Sequence, residues 1–154
     1  MNEREAPRIL IADDEPAIRE LVSDILSENG AVVVAEADGA AAVRRAALEP
    51  FDACVLDVEM PVLNGLDACR CLKTAAFTKD LPVLILTGRS DKETIDAAFA
   101  AGAWDFLAKP VHGQLLWRRI TNMLTLATSA RQARELEQLI DLARQPGNLG
   151  PPAP

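Results

Sequence analysis

The chain has one histidine, three cysteines, fewer basic than acidic residues and no long apolar run, and each shortage closes off a class of function. Nowhere do about 18 apolar residues follow one another, as a membrane span requires. Met1 to Arg8 is polar and charged, unlike the start of an export signal. The chain is therefore expected to be soluble and not exported, with no membrane partner. Sixteen Lys and Arg stand against 23 Asp and Glu, giving a net charge of −7 and a pI near 4.7. Nucleic acid and anionic membranes demand clustered Lys and Arg, so no direct nucleic-acid partner is expected. Cys54, Cys69 and Cys71 form no C-x-x-C pair and are odd in number. They read as reduced, buried small hydrophobes, which points to a cytoplasmic location. His112 stands alone and reads as a surface residue. Gly and Pro are absent from Thr121 to Gln145, so nothing there stops a helix. No internal repeat is present.

What remains is a chain of 154 residues, 49% apolar, enough for one buried core with an extension. Strand-like runs alternate with helix-period segments five times, the pattern of a parallel α/β sheet covered on both faces. The first helix carries Ile18, Leu21, Val22, Ile25 and Leu26 on one stripe, has Pro16 in its first turn and is closed by Asn29-Gly30. Val32 to Glu36 and a helix from Gly39 to Leu48 follow. The third unit joins Ala53-Cys54-Val55-Leu56 to a helix near Leu66 to Lys73. In the fourth, Leu81 to Leu86 leads to a helix whose start has capping-box spacing at Ser90 and Glu93 and which stops at Gly102. Trp104 to Ala108 then precedes a helix from about Gly113. The first, third and fourth strands are nearly all apolar and are expected at the centre of the sheet.

The chemistry sits where these strands end. Asp13 and Asp14 follow Ile9 to Ala12, Asp57 follows Leu56, Thr87 follows Leu86, and Lys109 follows Ala108. Open α/β sheets place their sites at such carboxyl ends. Three acids, one hydroxyl and one amine on a single rim suit a divalent cation and a phosphoryl group. A carboxylate approaches a phosphoryl donor of like charge, so a hard cation must neutralise and orient the incoming oxygens. Lys109 offers a compact ammonium and Thr87 a hydroxyl donor to the same oxygens, and Gly88 leaves the site open. Taken singly, Asp14 could cap the first helix, Asp57 could bond backbone amides, Thr87 could be a structural hydroxyl and Lys109-Pro110 a turn. Their conjunction, each at the end of a separate element, favours a site.

Asp13-Asp14, Asp57 with Met60-Pro61 and Asn64-Gly65, Thr87-Gly88, the run Gly102 to Phe106, and Lys109-Pro110 together resemble the receiver domain of bacterial two-component response regulators. The resemblance covers residues 7–124. It implies a doubly wound five-stranded sheet of flavodoxin-like order 2-1-3-4-5, a cis bond before Pro110, and phosphorylation of Asp57 by a sensor histidine kinase or phosphotransfer protein. It further implies Mg²⁺, with Mn²⁺ as substitute, bound directly by Asp14 and Asp57, through water by Asp13, and by the backbone carbonyl of Glu59. Phe106 would swing inward as Thr87 moves toward the phosphoryl group. No enzyme activity of its own is implied.

Trp104 and Phe106 lie two residues apart on an edge strand and are expected to share a face. With Ile95, Trp104 would form an apolar partner surface. Residues 125–145 are expected to be a helical extension or linker, and 146–154 a Pro/Gly-rich flexible tail. Leu116, Ile120, Met123, Ala127 and Ala130, then Ala133, Leu136, Ile140 and Ala143, form a seam suited to a homodimer. The output would belong to a partner protein or to an attached domain. The alternative is an N-terminal fragment of a cyclic-dinucleotide cyclase or phosphodiesterase, or of a hybrid kinase. An aspartyl phosphatase is disfavoured, because Glu59 stands where that mechanism needs its second acid and no room remains for a substrate cap.

Overall fold

The computed structural model describes residues 5–147. Ten elements alternate: β1 (Arg8–Ala12), α1 (Pro16–Glu28), β2 (Val32–Glu36), α2 (Gly39–Leu48), β3 (Ala53–Asp57), α3 (Gly65–Thr74), β4 (Val83–Thr87), α4 (Lys92–Ala100), β5 (Asp105–Ala108) and α5 (Gly113–Arg144). The five strands form one parallel sheet in the order β2-β1-β3-β4-β5. This is the expected flavodoxin-like α/β architecture with an extended C-terminal helix. β3 and β4 are buried along their whole length, as their uninterrupted apolar sequences require of central parallel strands.

Alternation along each strand sends side chains to two cores. Leu10, Cys54, Leu56 and Ile85 face Ala42, Ala46, Ala68, Cys69, Leu72 and Ala98 on the α2, α3 and α4 side. Ile9, Ile11, Val55, Leu84 and Leu86 face Val22 and Leu26 of α1 and Leu116, Ile120 and Met123 of α5. Small residues on α2 and α4 let those helices lie close to the sheet, whereas branched residues on α1 and α5 fill a deeper layer. Parallel strands connected by helices put all five strand carboxyl ends on one edge, so Asp13, Asp57, Thr87 and Lys109 converge there.

Several local expectations are corrected. α4 is capped by Asp91, which accepts a hydrogen bond from the Thr94 backbone N–H at 3.2 Å, and not by Ser90. The fourth strand begins at Val83 because Pro82 has no N–H for the ladder. Leu21 is 41% exposed and lies at the margin of the α1 stripe. Cys54 and Cys69 are buried, and burial pushes both thiols up in pKa, but Cys71 is exposed. Trp104 and Phe106 do not share a face: Phe106 packs with the α2/α3/α4-side core and Trp104 with the α1/α5-side core. β5 starts only at Asp105, so the two-residue alternation does not extend back to Trp104. The first part of the expected C-terminal seam is likewise not free, since Leu116, Ile120 and Met123 are buried against the sheet. Residues 148–154, most of the expected tail, lie outside the described residues.

Candidate functional site

Asp57 ends β3, where Gly65 N–H donates to the Val58 carbonyl at 2.9 Å and folds the start of α3 back over the strand end. The approach is so close that a Cβ at Gly65 would lie 2.0 Å from the Asp57 carbonyl oxygen. Asp13 follows β1, and its Oδ1 accepts the Glu15 backbone N–H at 2.9 Å. Arg19, one turn into α1, donates to the Asp13 carbonyl at 2.7 Å. Glu15, not Asp14, occupies the α1 N-cap position, and it makes no side-chain cap bond. Asp14 is exposed, and its carboxylate joins the rim.

One carboxylate oxygen from each of Asp13, Asp14 and Asp57 lies within 4.8 Å of the others. The Lys109 ammonium is 3.1 Å from Asp57 Oδ1, 3.3 Å from Asp13 Oδ2 and 3.5 Å from Glu15 Oε1. Asp13 and Asp57 are only 2% and 4% exposed. Burial pushes the Asp57 carboxyl up to about 6, Asp13 and Asp14 push in the same direction, and Lys109 opposes them. For Lys109, burial alone would lower the pKa, but the attraction of Asp57 and Asp13 outweighs it and leaves the ammonium raised. Asp13 Oδ2 is buried, and its contact is the ion pair with Lys109 at 3.3 Å. Three clustered acids, two of them buried, against one ammonium fit a hard divalent cation, which takes oxygen ligands.

Thr87 and Lys109 line the same cleft as Asp14, Asp57 and Glu59, together with Gly88, Arg89, Glu93 and Thr94 of the β4–α4 region. A Cβ at Gly88 would meet nothing within 4 Å, so this wall is open. The Thr87 hydroxyl is turned to its own loop: it donates to the Arg89 carbonyl at 2.8 Å and accepts the Arg89 N–H at 2.9 Å. Arg89 in turn pairs with the α4 cap Asp91 at 3.2 Å. Phe106 lies behind this region, edge-on to Phe99 with centroids 6.0 Å apart. Ile95 is half-buried on α4, and Trp104 faces the other core. The Lys109-Pro110 peptide is cis, as expected.

Sequence reasoning missed Glu15, Arg19 and the steric part of Gly65. Glu15 and Arg19 were marked by their place one and five residues after the paired acids. Gly65 enters the sequence reading only with Asn64 in the motif after Asp57, although it also clears the Asp57 carbonyl. Gly65→Ala is therefore expected to displace the Asp57 backbone, costing about 1–3 kcal/mol in urea denaturation. It should also weaken cation binding in a calorimetric titration. Unchanged values in both would show that the strand end tolerates the added methyl.

Residues 9–121 match the family model of the response regulator receiver domain, and the chain belongs to that family. It is 42% identical over 117 residues to response regulator MprA of Mycobacterium ulcerans, a match covering 76% of this chain and 50% of that protein. The chain thus spans about half the length of the curated relatives it matches. Among solved structures, it is similar to the signal receiver domain of a signal transduction histidine kinase from Syntrophus aciditrophicus. That similarity has 33% identity and a TM-score of 0.73, and covers 78% of this chain and 91% of that one. It is also similar to the receiver domain of sensor histidine kinase PA1611 from Pseudomonas aeruginosa, described with a magnesium ion coordinated in its active site cleft. There the identity is 29% and the TM-score 0.74, over 78% of this chain and 98% of the other.

Proposed function

We propose that this receiver accepts a phosphoryl group on Asp57 from a sensor histidine kinase or phosphotransfer protein, with Mg²⁺ or Mn²⁺ as cofactor. The observation that carries the reading is the cluster of three carboxylates, with Asp13 and Asp57 buried, gathered beside the single Lys109 ammonium. The magnesium ion described for the Pseudomonas aeruginosa receiver supports the same cofactor. Asp13, Asp14, Asp57 and the Glu59 carbonyl would hold the cation, which supplies positive charge against the phosphoryl oxygens.

The rest is work for the protein's own groups. Asp57 presents an oxygen to phosphorus, forming an acyl phosphate O–P bond as the donor's N–P bond breaks, and the released imidazole takes a proton from solvent. Lys109 leaves its Asp57 ion pair to contact a phosphoryl oxygen. Water later attacks phosphorus, returning the carboxylate and inorganic phosphate. The chain's own chemistry ends there.

Thr87 must exchange the Arg89 carbonyl for a phosphoryl oxygen, which frees the β4–α4 loop and opens space for Phe106. Thr87→Ala is expected to accept phosphate while losing this response. The test is tryptophan fluorescence, with Trp104 two residues from Phe106. Beryllium fluoride with Mg²⁺ should change the wild-type signal, leave Thr87→Ala nearly unchanged and have no effect on Asp57→Asn. The same change in all three proteins contradicts the reading.

The division into a receiver over 7–124, a helical linker over 125–145 and a tail over 146–154 belongs to this proposal, as do a cytoplasmic location and an output carried by a partner or attached domain. Nucleic acid is not proposed as a direct ligand of this part. No helix of the described residues is long and apolar enough to cross a membrane. Ile95 and Trp104 remain proposed partner contacts, now on different sides of the β5 edge.

A further inference from the structure

α5 outruns the body that it helps to build. Met123 is its last buried residue, and every residue from Arg131 to Arg144 is exposed. Leu126, Leu136 and Ile140 are 61%, 58% and 40% exposed. One tie from this segment to the body is the Arg134–Asp80 ion pair at 3.8 Å, an exposed pair that contributes little. Leu126, Ser129, Ala133, Leu136, Ile140 and Ala143 step by three and four residues and so fall on one stripe of this segment.

We propose that this stripe binds the same stripe of a second copy of the chain, with the two helices antiparallel. Three features converge on one register. With the dyad between Arg134 and Glu135, Leu126 faces Ala143 of the second copy, Ser129 faces its Ile140, and Ala133 faces its Leu136. Every layer then pairs a large side chain with a small one, as close interdigitation requires. Charge gives the same centre. Residues 125–134 carry Arg131 and Arg134 and no acid, whereas 135–144 carry Glu135, Glu137 and Asp141 against Arg144. Antiparallel pairing lays the basic half on the acidic half, while a parallel pair would oppose like to like. Arg134 then comes about 3 Å along the axis from Glu137 of the second copy, given a rise of about 1.5 Å per residue.

The length fits as well. α5 ends at Arg144, and Pro146 forbids its simple continuation. In this register that end lies level with Thr125 of the second copy, close to where the buried part of α5 stops. The acidic bodies of a chain with net charge −7 are thereby kept at opposite ends of the helix pair.

The test is sedimentation equilibrium of the full chain, at high protein concentration and moderate salt, in a Cys71→Ser background. The expected mass is twice 16.6 kDa. Leu136→Glu should restore the monomer. Arg134→Glu and Glu137→Arg should each weaken association about tenfold or more, and their combination should recover it. A wild type that stays monomeric, or single charge changes without effect, overturns the surface. Orientation is read by oxidation. A mixture of Ala133→Cys and Leu136→Cys chains should cross-link between unlike chains, and neither should cross-link efficiently alone. Efficient self-linking of Ala133→Cys alone would overturn the antiparallel register.

Discussion

In the absence of divalent cations, Asp57→Asn is expected to be more stable than the wild type at pH 8 and to lose that advantage near pH 4. The Asp57 carboxyl is raised from 3.8 to about 6, first by burial and then by Asp13 and Asp14, with Lys109 opposing. A carboxyl with a raised folded-state pKa binds its proton more tightly in the folded chain than in the unfolded one. Between about pH 4 and 6 the folded state therefore holds more protons, and stability falls as pH rises through that window. The full shift corresponds to at most about 3 kcal/mol, and partial solvation of the rim reduces it to about 1–2 kcal/mol. Urea denaturation of both proteins with a chelator, at several pH values, isolates the contribution as a difference. Acids remote from the rim contribute equally in both proteins and cancel. Identical pH slopes would contradict the electrostatic account of the site. Mg²⁺ at pH 8 should stabilise the wild type and do so less for Asp57→Asn, because ligand binding to the folded state adds directly to stability.

Chelation should also remove phosphoryl uptake from acetyl phosphate almost completely. Without a cation, the clustered acids face an anionic donor, and Lys109, already paired with Asp13 and Asp57, offsets them in part. A bound divalent ion supplies several kcal/mol of charge stabilisation, so its removal should slow modification by at least about a hundredfold. Asp14→Ala should weaken cation affinity more than Asp13→Ala, as the proposed direct role of Asp14 and water-mediated role of Asp13 require. Asp13→Ala carries a separate cost of about 1 kcal/mol in folding stability, because it deletes the bond that Glu15 N–H makes to Oδ1. Stopped-flow or quench measurements across a Mg²⁺ titration separate the two effects. Modification at the wild-type rate in excess chelator would remove the cation from the mechanism.

The sheet was legible because its signals are collective. Ile9 to Ala12, Ala53 to Leu56 and Val83 to Leu86 are apolar without alternation, and only a strand covered on both faces accommodates that. Much of the rim followed from the same runs, since Asp13, Asp57 and Thr87 each come directly after one. What escaped notice depends on single bonds or on packing across long sequence separations. Ser90 has the right spacing for a cap, yet Asp91 is the cap, because both side chains could reach and only the backbone path decides. Trp104 was assigned to the face of Phe106 by strand alternation, which holds only inside the strand. Cys71 was grouped with its buried neighbours, although two positions around a helix from Cys69 leads to solvent. The Thr87 hydroxyl, bonded to the Arg89 carbonyl, could not have been anticipated from composition or period. Gly65 illustrates a further limit: the sequence shows it only as part of a motif, and the fold brings the Asp57 carbonyl against it.

The most direct test of the central claim is to locate the phosphoryl group. Wild-type protein treated with acetyl phosphate and Mg²⁺ should gain one phosphoryl mass, and borohydride reduction followed by peptide mapping should place the label at Asp57. Asp57→Asn should show neither. A phosphoryl mass that persists in Asp57→Asn, or a label mapped to Asp13 or Asp14, would contradict the assignment.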